Sequence, residues 1–375
     1  MKNQITDSQS IEPYGDQQVK YIIQTLIEDK EFHLALSSQL YPKLTKIAPQ
    51  IATSLFKCTF SRYFSSSNSI NDFQKSLVPF VRTMIKRTTN GFTYSGKENL
   101  SSKPTLFIGN HRDIALDALF LNYARYLEGF KTVRIAIGDN LLDGRFFEKL
   151  MRLNKSFVVY RNIKGIKETI TKLKNLSSFI NRSIDLDNES IWIAQKEGRA
   201  NDGNDFTDKA VLKMLYLSHK KELSLEEWVS RVNLTPISIS YEYDPLDVTK
   251  AKGWKGWENL SNEESNKRDL EELVKGIRGK KGRVHLHICK NVNNCPETIE
   301  KLSVLIDNEI RSNYKLWPSN YVSVLELNWV NKNSMEKEKK DPKFLNRFKG
   351  LNKDLKKEVL KIYATPYMNS KKRGQ

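Results

Sequence analysis

A histidine next to two acidic residues is the feature of the sequence most able to do chemistry. His111 follows the apolar run 104–109 (PTLFIG), and Asp113 and Asp117 follow the histidine within six residues. A carboxylate that accepts a hydrogen bond from one imidazole nitrogen fixes the tautomer and leaves the other nitrogen to act as a base. An alcohol nucleophile needs such a base. Because the chain has five histidines in all, this context favours catalysis over a helix cap or a salt bridge.

Two arginines further along the chain suit a phosphorylated substrate. Arg161 closes a predicted strand, and Arg199 directly follows Glu197 and Gly198. A guanidinium group donates two hydrogen bonds to one anion, and glycine permits close approach of the backbone. Glu197 would orient an arginine or accept a hydrogen bond from a substrate hydroxyl. Salt bridges on the surface are the alternative interpretation of this charged segment.

The sequence predicts neither a metal site nor a cofactor. His285 and His287 share one face of a predicted strand, but no cysteine or carboxylate stands at a spacing that completes a zinc site. A half-exposed strand face explains them better. The sequence has no glycine-rich phosphate loop and no serine nucleophile elbow. Its three cysteines predict reduced thiols in a cytosolic protein.

The elements around these residues predict an α/β domain. Short apolar runs rich in Ile, Val and Phe alternate with helical stretches, a pattern typical of a mainly parallel mixed sheet with helices on both faces. Ligands of such sheets bind beyond the carboxyl ends of the strands. We predict strands at 104–109, 132–137, 156–160, 190–194, 235–240 and 283–289, and helices near 114–128, 144–152, 164–182, 207–219 and 296–313.

Three segments follow from the changes of composition along the chain. Residues 1–91 predict a helical leader, and 92–330 predict the α/β domain with a polar insertion at 245–282. Residues 331–375 hold fourteen Lys and Arg against five Asp and Glu. This last segment predicts a basic tail, either solvated or held on an anionic membrane.

Charge and hydropathy bound the partners. With 62 Lys and Arg against 44 Asp and Glu, the formal net charge of +18 indicates a polyanionic partner. The basic amphipathic stretch 73–87 predicts packing against the next domain or insertion into a bilayer surface, and Trp254 and Trp257 are a further candidate membrane contact. No signal peptide and no spanning segment is predicted, so we expect a cytoplasmic protein.

The segment around the histidine resembles the glycerolipid acyltransferases. GKENL at 96–100, the apolar strand and Asn110-His111-Arg112 are similar to the entry of that family, whose signature places an Asp after a His and four further residues. Here five residues separate His111 from Asp117. Either Asp117 has the family's role across one inserted residue or Asp113 has taken it. The apolar ALFL after Asp117 favours Asp117, which leaves Asp113 as a helix cap.

Later segments resemble the family's other motifs in the same order. They are IAIGDNL at 135–141, the stretch from Asn154 through Phe157 to Arg161, QKEGRA at 195–200, and TPISI at 235–239 followed by Tyr241-Glu242. The resemblance implies that Arg161, Glu197, Gly198 and Arg199 bind the substrate phosphate. It also implies that Phe157 and Pro236 lie on the acyl-donor side.

The function that the resemblance implies is O-acyl transfer in phospholipid biosynthesis. An acyl group would pass from acyl-CoA or acyl carrier protein to glycerol-3-phosphate or 1-acylglycerol-3-phosphate, with no cofactor. We expect peripheral attachment to the cytoplasmic face of an anionic membrane and no nucleic-acid partner. Two alternatives stay open: acylation of an aminolipid, and a non-enzymatic basic module that binds membranes or nucleic acid.

Overall fold

The computed structural model describes residues 11–139, 145–160, 163, 165–253, 262–293, 296–330 and 341–371. Three residues named above, Arg161, Trp254 and Trp257, lie outside this described part of the chain, as does the cysteine Cys295. The chain divides into two compact units. The first comprises Met1–Thr83 with Arg134–Ile163, and the second comprises Met84–Val133 with Lys164–Gln375. This division differs from the predicted boundary at residue 91 in two ways. Residues 84–91 of the expected leader group with the second unit, and residues 134–163 of the expected α/β domain group with the first.

Helices make up most of the described chain. They are α1 (Asp16–Glu28), α2 (Lys30–Leu40), α3 (Pro42–Ile47), α4 (Pro49–Phe64), α5 (Ile70–Thr88), α6 (Leu116–Leu127), α7 (Arg145–Leu153), α8 (Ile166–Asp185), α9 (Lys209–Tyr216), α10 (Leu225–Arg231), α11 (Asp247–Ala251), α12 (Asn262–Arg278), α13 (Ile299–Ser312), α14 (Pro318–Glu326), α15 (Pro342–Asn346) and α16 (Lys353–Lys371).

The strands are short and largely buried. They are β1 (Phe92–Ser95), β2 (Leu106–Gly109), β3 (Arg134–Gly138), β4 (Ser156–Val159), β5 (Ile191–Ala194), β6 (Thr235–Tyr241) and β7 (Val284–Ile288). Every predicted strand is present, and β1 is an additional strand that the sequence pattern did not predict.

The first unit is a helical cluster with one strand pair. α1, α2, α4 and α5 bury an aromatic core in which the Phe32 ring meets Phe56 and Phe60 edge-on, at centroid distances of 5.3 and 5.0 Å. β3 and β4 pair in parallel within this unit, with Ile135 opposite Ser156. The Phe73 side chain is 1% exposed in this core. The amphipathic start of α5 therefore packs inside the protein.

The second unit is built on the strand order β1-β7-β6-β2-β5. β2 lies between two parallel neighbours, β5 and β6, whereas β7 runs antiparallel to β6 and parallel to β1. This confirms the predicted α/β class with a mainly parallel, mixed sheet. Since β2, β5 and β6 are parallel, their carboxyl ends lie at one edge, and the chain leaves β2 there toward His111.

Two polar segments are more ordered than the sequence suggested. The predicted insertion at 245–282 contains α11 and α12. The described part of the predicted basic tail forms α15 and α16, where Phe344 and Val359 are 0% exposed while Lys353 and Lys357 point to solvent. Residues 341–371 are therefore a packed part of the second unit, and the expectation of a solvated tail was wrong there. They pack because burial of their apolar face stabilises the protein while their charged side chains stay in solvent.

Candidate active site

The end of β2 is fixed before the chain reaches the histidine. Asn110 is 1% exposed, and its side-chain amide donates to the Ile239 carbonyl (2.9 Å) and accepts from the Ile239 N–H (2.8 Å). Its side chain thus continues the pairing with β6 beyond the last residue of β2. A Cβ atom at Gly109 would lie 3.2 Å from the Trp192 Nε1 atom, so this close approach favours glycine.

The imidazole of His111 lies against Asp117. Its Nδ1 atom is 2.9 Å from Asp117 Oδ2, and the side chains are 13% and 2% exposed. The same Oδ2 atom accepts from the backbone N–H groups of Arg112 (2.7 Å) and Asp113 (3.0 Å). Asp117 stands in the first turn of α6, where a negative charge is favourable. With Nδ1 donating to the carboxylate, Nε2 is the nitrogen able to accept a proton.

Asp113 has a different task. Its Oδ1 atom accepts from the backbone N–H groups of Ala115 (3.1 Å) and Leu116 (3.0 Å), so it caps the start of α6. Burial, together with the nearby charge of Asp117, raises the pKa of Asp113. The structure therefore places Asp117, and not Asp113, in hydrogen-bond contact with His111.

The ring of His111 has one aromatic wall. Trp192 of β5 is 3% exposed and meets the imidazole edge-on, with 5.8 Å between ring centroids and 70° between ring planes. The side chain of the next residue, Arg112, has other partners. Its guanidinium donates to the Asp205 carboxylate and lies 5.2 Å from the Tyr314 ring centroid. The charge of Arg112 is neutralised inside the protein by Asp205. Its role in the structure is therefore to hold the loop between β2 and α6.

Comparison with known proteins bears on what such a pair does. Residues 91–210, which include His111 and Asp117, match the acyltransferase family model. This segment is thus similar to acyltransferases. Among solved structures, the chain is similar to the crystal structure of the 1-acyl-sn-glycerophosphate (LPA) acyltransferase PlsC from Thermotoga maritima. The identity is 14%, the coverage is 75% of this chain and 95% of that chain, and the TM-score is 0.37. A search of curated protein sequences finds no significant match.

The loop after β5 brings the third predicted motif next to the histidine. The Ala200 N–H donates to the His111 carbonyl (2.8 Å), which ties this loop to the segment that carries His111. Gly198 adopts a φ of +71°, a conformation that favours glycine, and Glu197 is exposed. Arg199 donates to Glu272 of α12 at 2.5 Å and is 12% exposed.

The guanidinium of Arg199 is only partly paired within the described residues. Its Nη1 atom is buried and has no hydrogen-bond partner within the described residues. A buried donor without a partner is costly, and an anion that accepts from it would remove this cost. Arg161, the other predicted phosphate ligand, lies outside the described residues.

The two residues predicted for the acyl-donor side lie in different units. Pro236 is buried in β6 of the second unit, opposite Ile108 of β2. Phe157 is 0% exposed in β4 of the first unit, opposite Ala136. The structure thus places Pro236 in the strand beside the one that leads to His111, and Phe157 in the core of its own unit.

The histidines of β7 are held by hydroxyl groups. His285 lies 2.8 Å from Thr93 Oγ1 and 3.0 Å from Ser95 Oγ, and His287 Nδ1 lies 2.8 Å from the same serine oxygen. Burial, with the charge of Lys315, lowers the pKa of His285 to about 4. Within the described residues no group of three or more His, Cys, Asp or Glu side chains could hold a metal ion.

Three contacts of the site come from residues for which no role was predicted from the sequence. Trp192 borders the imidazole, Glu272 anchors Arg199, and Tyr241 donates from its hydroxyl to Asp117 Oδ1 at 2.8 Å. Tyr241 is the last residue of β6, the strand that neighbours β2. This position at the carboxyl end of the strand, on the same edge of the sheet as His111, is a signal from which Tyr241 could have been predicted. Nothing in the local sequence marks Glu272, which lies in a polar helix 73 residues from its partner.

Proposed function

We propose that the chain transfers a fatty acyl group from acyl-CoA or acyl carrier protein to the hydroxyl of glycerol-3-phosphate or 1-acylglycerol-3-phosphate. The observation that carries the proposal is the 2.9 Å contact between His111 and Asp117 at the carboxyl end of β2, within the segment that matches the acyltransferase family model. The cationic loop after β5, joined to His111 through Ala200, supports a phosphorylated acceptor.

His111 acts as the general base. Its Nε2 atom takes the proton from the acceptor hydroxyl as that oxygen bonds to the thioester carbonyl carbon, and the carbonyl electron pair moves onto its oxygen. When the tetrahedral intermediate collapses, the carbon–sulfur bond breaks and the imidazolium returns the proton to the leaving thiolate. Asp117 stabilises the imidazolium and keeps the ring oriented. Base catalysis of this kind contributes roughly 10²–10⁴-fold.

Arg199 binds the acceptor phosphate in this proposal. Glu272 holds one end of its guanidinium at 2.5 Å, so the group is oriented before substrate arrives. The Nη1 atom is the donor that a phosphate oxygen would engage. Binding at a fixed cation converts the reaction with the hydroxyl into an intramolecular one, which is where positioning contributes most.

We further propose an anionic membrane surface at the cytoplasmic face as the partner. No helix in the described ranges is long and apolar enough to cross a bilayer. The first unit, however, exposes apolar side chains along α3 and α4: Ile47 is 84% exposed, Ile51 62% and Leu55 45%. Residues 32–71 contain four Lys and Arg and no Asp or Glu. Exposed apolar groups among cations suit the boundary between headgroups and acyl chains.

A panel of acceptors tests the function. Purified protein would receive one labelled acyl-CoA and, separately, one acyl carrier protein donor, each with glycerol-3-phosphate, 1-acylglycerol-3-phosphate or a lyso-aminolipid. We expect acylated glycerol phosphate as the product, identified by mass spectrometry. Transfer to the aminolipid alone, or to none of the acceptors, contradicts the proposal.

A further inference from the structure

We propose that Tyr241 is a positioning residue of the acyl-transfer site and acts by holding the second oxygen of Asp117. The inference rests on the base role proposed for His111. The Tyr241 hydroxyl lies 2.8 Å from Asp117 Oδ1, and His111 Nδ1 lies 2.9 Å from Oδ2. The two side chains thus engage opposite oxygens of one carboxylate.

Hydrogen bonds hold the carboxylate of Asp117 in one orientation. Besides His111, the Oδ2 atom accepts from the backbone N–H groups of Arg112 and Asp113, at 2.7 and 3.0 Å. Asp117 is 2% exposed, so water does not replace a lost partner easily. Fixing both oxygens fixes the plane of the carboxylate, and this plane sets the direction in which the imidazole points.

The fold holds Tyr241 as firmly as it holds the pair. All seven residues of β6 are buried, and Tyr241 lies opposite Val284 of the antiparallel neighbour β7. Its ring meets Phe120 edge-on at 6.0 Å between centroids. Phe120 belongs to α6, the helix that also carries Asp117. Burial, with the charge of Asp117, raises the pKa of Tyr241 well above its usual value, so the hydroxyl remains a donor.

A merely structural role is the competing explanation, since a buried hydroxyl always needs a partner. The two roles differ in what they predict for the imidazole. Without the tyrosine hydroxyl, the carboxylate charge is less dispersed and attracts the imidazolium more strongly. Protonation of His111 then becomes easier, so the acidic limb of the pH–rate profile moves to higher pH.

The charged groups around the pair must be held constant in such a comparison. They are Asp113 and Asp117 at the start of α6, Asp244 after β6, Lys250 of α11, which donates to the Arg112 carbonyl, and Lys281 before β7. A Tyr→Phe substitution changes none of them, because it removes one neutral hydroxyl.

The test compares Tyr241→Phe with Tyr363→Phe. Tyr363 is a matched control, since its hydroxyl also donates to a buried carboxylate, that of Asp247 at 2.7 Å. For Tyr241→Phe we expect kcat to fall about 10- to 100-fold with little change in KM, and the acidic limb to move upward. Tyr363→Phe should change neither. Equal kcat and equal pH profiles in two variants that melt alike would overturn the proposal.

A double-mutant cycle adds a second readout. If Tyr241 acts only through Asp117, then Asp117→Asn together with Tyr241→Phe loses no more activity than Asp117→Asn alone. Additive losses contradict the proposal. Should Tyr241→Phe not fold, the wild-type hydroxyl proton of Tyr241 still reports by NMR: its resonance should lie downfield and move as His111 titrates, and a resonance insensitive to that titration overturns the proposal.

The NMR readout also separates this inference from the proposed function. The titration of the His111 ring needs no substrate, so its midpoint in Tyr241→Phe can be compared with wild type whatever the acceptor is. If no glycerol phosphate is acylated but the midpoint moves upward, the positioning role stands and the proposed acceptor is wrong. If the wild-type protein acylates glycerol phosphate but the midpoint in Tyr241→Phe is unchanged, the proposed acceptor stands and the positioning role is wrong.

Discussion

At the scale of single residues, the two acids beside His111 have separate tasks. Asp117 holds the imidazole, whereas Asp113 accepts from two backbone N–H groups at the start of α6. Asparagine keeps the shape of both side chains and is itself a good cap. The same substitution therefore has different consequences at the two positions.

We expect Asp117→Asn to lower kcat by roughly 10²–10⁴-fold, because the imidazole loses its charged partner. Asp113→Asn should stay within a few-fold of wild type, since an asparagine oxygen still caps the helix. Steady-state kinetics of the two purified variants measures this difference. An inactive Asp113→Asn beside an active Asp117→Asn would reverse the assignment.

The sequence indicated the proposed base, His111, but only part of its surroundings. His111 could be found because it combines a rare residue type with a position directly after an apolar strand. The contact with Asp117 spans six residues, so local reasoning reached it and left Asp113 as the alternative. Tyr241 lies 124 residues from Asp117. A contact of that range depends on which strands become neighbours, and the order of strands in the sheet is a property of the tertiary fold.

At the scale of elements, the exposed faces of α3 and α4 define the proposed membrane contact. We expect Ile47→Glu with Ile51→Glu to reduce binding to vesicles that contain phosphatidylglycerol, because each carboxylate is both polar and repelled by the lipid charge. Leu186→Glu is the matched control, since Leu186 is 77% exposed in the second unit. Co-sedimentation measures binding, and equal losses in both variants would argue against a specific surface.

A buried lysine between α12 and β7 links the pH of the solution to stability. Lys281 is 0% exposed and donates to Thr88 Oγ1 (3.2 Å) and to the carbonyls of Ile277 (3.1 Å) and Gly279 (2.8 Å). Burial lowers the pKa of Lys281 to about 8 from 10.5. Because the unfolded chain keeps this proton up to the higher pH, folding becomes more favourable as pH rises between these two values.

We therefore expect the free energy of unfolding of wild type to gain up to roughly 3 kcal/mol relative to Lys281→Met between pH 8 and pH 10.5. Urea denaturation of both proteins at several pH values measures this gain. Lys280→Met is the control, because Lys280 is exposed. A difference between wild type and Lys281→Met that does not change with pH would contradict a buried titrating ammonium group.

Short apolar runs predicted the strands, since β2, β5 and β6 are buried, and periodicity predicted the helices between them. It failed for α12 and α16, whose sequences are dominated by charge. In α16 only one face is apolar, with Val359 and Tyr363 buried at 0% and 4%. The net charge of a segment describes the residues that face solvent and says nothing of the residues that pack. The prediction of a basic tail therefore rested on the exposed residues of α16 and missed its buried apolar face.

At the scale of the whole molecule, the excess positive charge is spread over parts with different roles. The stretch 32–71, which has no Asp or Glu, belongs to the first unit and fits the proposed lipid surface, whereas Arg112, Arg199 and Lys250 are paired with carboxylates inside the second unit. The proposed enzyme, acting at a membrane surface on the hydroxyl of a glycerol phosphate, accounts for both. The net charge of +18 alone would equally have suited a nucleic-acid-binding protein.

The most direct test of this account is the turnover of His111→Ala measured beside His219→Ala. His219 is the matched control, because it too lies next to a carboxylate, with Nε2 at 3.3 Å from Asp185 Oδ2. It is also far from His111 in sequence. Acyl transfer from one thioester to the accepted glycerol phosphate is followed for both folded variants. We expect His111→Ala to lose at least about 10²-fold in kcat while His219→Ala retains wild-type turnover. A folded His111→Ala variant with near-wild-type turnover would contradict it.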